Sequence, residues 1–243
     1  MILQTIAKMV KSRWFTFKIK LFYNFPGWLL FYILFFVIGC APAKIYSINM
    51  NYNSGKAVVP AYLKAEEKSS FVITVTEFTD TRKIDDRLVL GYVVEKDGMK
   101  KFVLPKYKKP TKAVADGIRE YLGKAGYIIP RLREQWDLKE ETMPKSDGKI
   151  IIGGNIEELD VISKKGFPTD LYESRIKLTL VIADAAQKRI IYRSSVESSS
   201  SLEHVSFSEE KMEEQINIVL ADAIEKVFEN KNIAQKIKEA VVQ

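Results

Sequence analysis

The chain predicts an α+β fold, an antiparallel sheet covered on one face by helices. Three observations carry that expectation. In residues 172–183, Ile176, Leu178, Leu180 and Ile182 alternate with Arg175, Lys177 and Thr179, so one strand face is dry and the other wet. A short polar turn at 184–188 joins that run to a second long one at 189–200, as a hairpin requires. Met212, Ile216, Val219, Leu220, Ala223, Ile224, Val227 and Phe228 recur at helical spacing and form a stripe that needs an apolar partner.

The elements follow in order. Residues 41–69 contain Pro42, Asn49, Asn51, Asn53, Gly55 and Pro60 and read as a tether, with an edge strand expected around Val58. Phe71, Ile73 and Val75 alternate with Val72, Thr74 and Thr76 and open the domain as a strand. Residues 88–94 and 99–104 flank Asp97-Gly98, a pair that favours positive φ and therefore a hairpin turn. Pro110-Thr111 starts a helix with Val114, Ala115, Ile118, Tyr121 and Leu122 on one face and Gly126 as its stop. Residues 127–130 read as a short strand, and 131–148, polar and carrying Pro144 and Gly148, as a loop. Long strands are expected at 150–161, 172–183 and 189–200. Ser206-Phe207-Ser208-Glu209 matches a capping box ahead of the apolar stripe, 230–232 break that helix, and 233–241 form a final amphipathic helix. No fixed-period repeat is present.

The first 39 residues carry Lys8, Lys11, Arg13, Lys18 and Lys20 and no acidic residue, followed by an eleven-residue apolar run from Trp28 to Ile38. That is the order of a basic and a hydrophobic signal region. Eleven helical residues cover roughly 16 Å, well short of a ~30 Å hydrocarbon core. Lys18, Lys20 and Pro26-Gly27 interrupt the apolar residues upstream, which weighs against extending the run into a span and leaves a retained N-terminal anchor as the lesser alternative. Val37-Ile38-Gly39-Cys40 then looks like the lipobox of bacterial lipoproteins, with cleavage between Gly39 and Cys40. That resemblance implies a diacylglyceryl and an N-acyl lipid on Cys40 and no other cofactor. Several acyl chains at ~0.8 kcal/mol per buried methylene make such anchoring stable. The same resemblance implies, from Ala41 in the place where an aspartate would signal inner-membrane retention, the periplasmic face of the outer membrane in an organism that has one, with the inner membrane the location if the protein is not sorted onward.

The expected organisation is a signal peptide at 1–39, a lipidated N-terminus and linker at 40–69, and an α+β periplasmic domain at 70–243. Cleavage removes five basic residues from a chain of net charge +7, leaving 33 Lys+Arg against 31 Asp+Glu, about +2. The basicity therefore belongs mostly to the signal and makes no case for nucleic acid. With the chain's single cysteine lipidated, no disulfide is available and stability rests on the core.

Signals for chemistry are sparse. His204 is the only histidine, and no GxSxG-type elbow accompanies it. Glu157, Glu158 and Asp160 lack calcium-loop spacing, and on a regular strand 157 and 158 face opposite sides, so no metal site is expected. Gly153-Gly154 has no phosphate-loop context and reads as a bulge or bend. Lys100, Lys101, Lys106, Lys108, Lys109 and Lys112, interleaved with Phe102 and Tyr107, are the candidate contact with an anionic surface, set against a lysine-protected hairpin edge. Asp80, Arg82, Asp85, Asp86 and Arg87 read as an ion-paired loop at one end of the sheet, with a recognition loop the alternative, and the serines at 194–195 and 198–201 as an exposed polar strand, with a strand for pairing with another protein the alternative.

The lipobox, FTDTR after the first strand, AVADGIREYLGKAGYII, YESRIKLTLVIADAAQKRIIYRSS and ADAIEKVFENKNIAQKIKEAV together resemble the YajG-type family of uncharacterised bacterial lipoproteins over about residues 70–242. The order of elements is also similar to the outer-membrane lipoproteins that activate peptidoglycan synthases and to the lipoprotein components of ABC-type lipid transport systems. These resemblances imply a binding or adaptor module rather than an enzyme, held to a membrane through its lipid and joined to an envelope protein partner. The alternatives are a lipid or glycan binder using the lysine-rich hairpin and, last, a carboxylate-dependent hydrolase.

Overall fold

The computed structural model describes residues 44–65 and 71–242; Gly39, Cys40 and the expected signal peptide lie outside the described residues. The long hairpin region is the framework. Strands β7 (Ile150–Lys164), β8 (Asp170–Asp184) and β9 (Arg189–His204) pair antiparallel along nearly their full lengths, as the alternation in 172–183 requires.

The other edge of β7 departs from expectation. It receives three short strands in succession, β2 (Ile73–Glu77), β3 (Thr79–Asp80) and β4 (Gly91–Val94), all parallel to it. Strand β5 (Lys100–Pro105) closes the expected hairpin with β4, β1 (Tyr46–Ile48) adds parallel to β5, and β6 (Arg131–Gln135) adds parallel to β2. The sheet is thus mixed, not antiparallel. One wet face on β8 established antiparallel pairing for β7–β9 alone. Strands joined to their neighbours by long connections instead of tight turns are free to lie parallel.

Helices α1 (Pro110–Lys124), α2 (Glu209–Glu229) and α3 (Lys231–Val242) cover one face. The anticipated stripe of α2 is buried against Ile176, Leu178, Leu180 and Ile182 of β8. Its cap is Ser208, whose side chain accepts from the Lys211 backbone N–H at 3.1 Å, two residues later than the expected capping box. That shift leaves Glu209 free to bond elsewhere.

Two stretches read as irregular are folded. In 46–63, Tyr46, Ile48, Met50, Tyr52 and Leu63 join the main core, whereas Val58 is exposed and outside any strand. Within 131–148, β6 leads into Trp136 and Leu138, which cover Ile151, Val181 and Ala183 on the face away from the helices. The Trp136 indole N–H donates to the Lys139 carbonyl at 2.7 Å, satisfying its polar edge inside that small core. Gly153 permits this cover, since a Cβ there would lie 2.8 Å from Trp136 Cε3.

The bulge falls not at Gly153-Gly154 but between Ile156 and Glu158, where one extra residue shifts the β7–β8 register. Core positions therefore change from Ile150, Ile152 and Ile156 to Leu159 and Val161.

Candidate functional site

The first strand places a site at one end of the domain. Along β1 and beyond it, alternate side chains Tyr46, Ile48, Met50 and Tyr52 enter the core. The intervening backbone N–H groups of Ser47, Asn49 and Asn51 donate to Glu209 Oε2 at 3.0 Å, Glu213 Oε2 at 2.9 Å and Asn217 Oδ1 at 2.8 Å on α2. Asn217 returns a bond to the Asn49 carbonyl at 3.3 Å. The match is geometric: two strand residues advance about 6.7 Å and four helical residues about 6 Å, so i, i+2, i+4 of a strand align with i, i+4, i+8 of a helix. Side chains of α2 thereby replace a neighbouring strand along the free edge of β1.

Where β1 begins, four segments meet. Glu95, at the tip of the β4–β5 hairpin, accepts from Tyr46 Oη at 2.9 Å and forms ion pairs with Lys165 Nζ at 2.9 Å and Lys101 Nζ at 3.0 Å. The Lys165 hydrogen bond, followed by those from Lys101 and Tyr46, outweighs burial and holds the Glu95 carboxyl at about 2. Burial works to lower Lys165, and its bonds to Tyr46 and Glu95 overcome this and raise it. The Lys165 ammonium also lies 4.3 Å from the Phe207 ring centroid, and Phe207 meets Tyr46 edge-on at 5.1 Å and stacks on Tyr172 at 6.2 Å. The Tyr172 hydroxyl donates to the Ser206 carbonyl at 3.1 Å and accepts from the Ser208 N–H at 2.9 Å, tying the β9–α2 loop into the same cluster.

The candidate lysines do not form one patch. Lys101 is spent on Glu95; Lys108 and Lys112 pair with Asp116 at 3.7 and 3.2 Å. Burial works to raise the Asp116 carboxyl, and Lys112 with Arg119 outweighs it and lowers it. Lys100 lies over Tyr92 and Lys106 over Tyr107, while Lys109 is exposed at the N-cap of α1.

The remaining candidates take structural places. Arg82 is buried: its guanidinium grips both Asp80 oxygens and donates to the carbonyls of Arg87, Val89 and Leu159, which fixes the loop between β3 and β4. Through the bulge, Glu157 and Glu158 both face solvent on the β8 side, pairing with Lys177 at 3.2 Å and Arg175 at 3.6 Å. The expectation that they face opposite sides fails for that reason. Ser198 bonds Asp222 at 2.6 Å and Ser200 bonds Gln215 at 2.7 Å, so part of the serine run docks α2. His204 Nδ1 lies 2.9 Å from the Ser206 carbonyl in the adjoining turn. An open groove of about 770 Å³ lies at the opposite end of the sheet, between Thr74, Pro130, Pro144 and Lys188.

Among the described residues no group of three or more His, Cys, Asp or Glu is placed to hold a metal ion, and no helix is long and apolar enough to cross a membrane. The ladder from β1 to α2 was legible in part. The alternation of Tyr46, Ile48, Met50 and Tyr52 with Ser47, Asn49 and Asn51 is a strand pattern, obscured by the asparagines, which favour turns.

The architecture defines the class: an α+β domain that has, among the described residues, a mixed sheet of nine strands with three α-helices on one face. No family model matches the chain, and no curated protein matches it significantly. Among solved structures, protein XCC0632 of Xanthomonas campestris, from the DUF330 family, superposes with a TM-score of 0.51 at 12% identity, over 81% of this chain and 99% of that one. A neuraminyllactose-binding hemagglutinin homolog from Helicobacter pylori gives 0.45 at 13% identity, over 79% and 100% of the two chains. Lipoprotein GNA1162 from Neisseria meningitidis gives 0.36 at 7% identity, over 66% and 99%. The first of these shows a shared fold.

Proposed function

We propose that the chain is a lipid-anchored bacterial envelope protein whose α+β domain acts as a non-catalytic binding or adaptor module. The single observation that carries this reading is the placement of β1. The Val37-Ile38-Gly39-Cys40 sequence ends four residues before Lys44, and two residues later the chain is locked into both sheet and helix. An acylated Cys40 would thus be separated from the folded body by three residues, which keeps a recognition domain within short reach of a membrane.

Two paired carboxylates support the non-catalytic part of the reading, while burial raises the carboxyl of a third, Glu120 on α1. Glu95 and Asp116, with lowered carboxyls, are surrounded by partners that fix side chains of their own domain. A general acid or base needs a pKa moved toward the working pH, the opposite direction for these groups.

The test is photo-crosslinking in living cells, with the reactive group at Ser199 on β9, at the sheet edge. An adaptor gives one dominant product with an envelope protein, retained when the cells are washed in high salt. Only diffuse products with abundant proteins would count against the adaptor reading.

A further inference from the structure

The end of the domain where β1 starts also carries apolar side chains that the core does not use. Phe167, in the β7–β8 turn, is 94% exposed, and Val205, in the β9–α2 loop, is 79% exposed. Ile45 and Met99, each 57% exposed, stand at the start of β1 and at the hairpin tip. Their common location follows from the contacts beneath them. Lys165, two residues before Phe167, touches Glu95 and the rings of Tyr46 and Phe207; Phe207 lies two residues after Val205; and the Glu95 N–H donates to the Met99 carbonyl at 2.9 Å. Strand pairing agrees, since Asp170 is opposite His204.

A phenylalanine with nearly its whole surface in water forgoes a large burial, and an aromatic ring is well suited to the boundary between headgroups and acyl chains. Gly166 and Pro168 flank it, and the Gly166 N–H is held by Asp170 Oδ1 at 2.9 Å, so the turn presents the ring from a fixed base. Lys44, 4.8 Å over the Tyr46 ring, adds a cation at the same end. The chain itself supplies the direction. Four peptide units separate Cys40 from Lys44, a reach of at most ~14 Å, so a membrane holding acylated Cys40 lies against this end and not the opposite one.

We infer that this end is a membrane-docking surface, with Phe167 and Val205 inserted at the headgroup boundary of the bilayer that anchors Cys40, flanked by Ile45 and Met99. The inference rests on the lipid-anchor reading above. Docking at these points in addition to the anchor fixes the orientation of the sheet, leaving the far groove directed away from the lipid.

The test uses the full chain, purified from membranes as Phe167→Cys, Val205→Cys or, at the opposite end, Ala186→Cys. Each variant is labelled with an environment-sensitive fluorophore and reconstituted in phosphatidylethanolamine–phosphatidylglycerol vesicles containing a spin-labelled lipid. Intact mass reports acylation of Cys40 in the same samples. The expected result is a blue-shifted emission at 167 and 205, quenched by the spin-labelled lipid several-fold more than at 186. An acylated chain with 167 and 205 as wet as 186 overturns docking and leaves the anchor standing. Labels shielded only when envelope proteins are added, without lipid quenching, would assign the surface to a protein partner and overturn it too. A chain without acylation removes the anchor, and the docking inference falls with it.

Discussion

The backbone N–H of Asn49 donates to Glu213 Oε2 at 2.9 Å, across 164 positions of sequence. This is the middle rung of the ladder that binds the first strand to α2, and it turns a segment rich in asparagine into part of the rigid body.

Replacing Glu213 with Ala removes the acceptor and leaves a partly buried N–H without its partner. A hydrogen bond to a charged group contributes about 1.5–3 kcal/mol, so unfolding stability should drop by about that much. Hydrogen exchange should localise the loss to residues 46–52, with β8 unaffected. Uniform loss across the sheet would contradict the ladder as a local fastening.

Glu95→Gln tests the cluster at the start of β1. The folded carboxyl is held at about 2, below its unfolded value of ~4.3. Its contribution is therefore fully present above the unfolded value and is lost as pH falls through the window from about 4 to about 2. Urea midpoints should separate wild type from the variant at pH 7 and converge toward pH 2. A difference independent of pH would refute the assigned role.

Arg82→Lys should destabilise by about 3 kcal/mol despite conserving charge. One ammonium cannot replace a planar fork that reaches both oxygens of Asp80 and three carbonyls at once. Chemical denaturation measures it, and near-wild-type stability would show that the loop between β3 and β4 is fixed by other contacts.

Trp136→Ala should cost about 3–5 kcal/mol locally, because the small core beneath β6 has few other side chains to fill the void. Proteolysis should then cut within 131–148 while the helical face stays protected. Unchanged proteolysis would mean that this cover is held chiefly by β6 pairing.

Much of the fold was legible where one periodicity acts alone. The stripe of α2 and the alternation in β8 are set by burial on a single face, and both lie where their patterns place them. Parallel docking of β2, β3 and β4 on β7 was not legible, since a strand's side-chain pattern records which faces are buried and not the direction of its neighbour. The bulge at Glu157 escaped because Ile156, Glu157, Glu158 and Leu159 break the alternation by one residue, which resembles the polar end of a strand. Among candidate residues, the lysines stood out by density, but their pairing with Glu95 and Asp116 depends on carboxylates that only the folded chain brings near.

The measurement that bears most directly on the central claim is intact mass and membrane fractionation of the expressed full chain beside Cys40→Ala. A lipid-anchored module predicts a 204-residue form beginning at Cys40, carrying the mass of its acyl groups and recovered with the outer membrane, with that form lost in the variant. An uncleaved, unacylated chain of 243 residues, distributed identically in wild type and variant, would contradict the account.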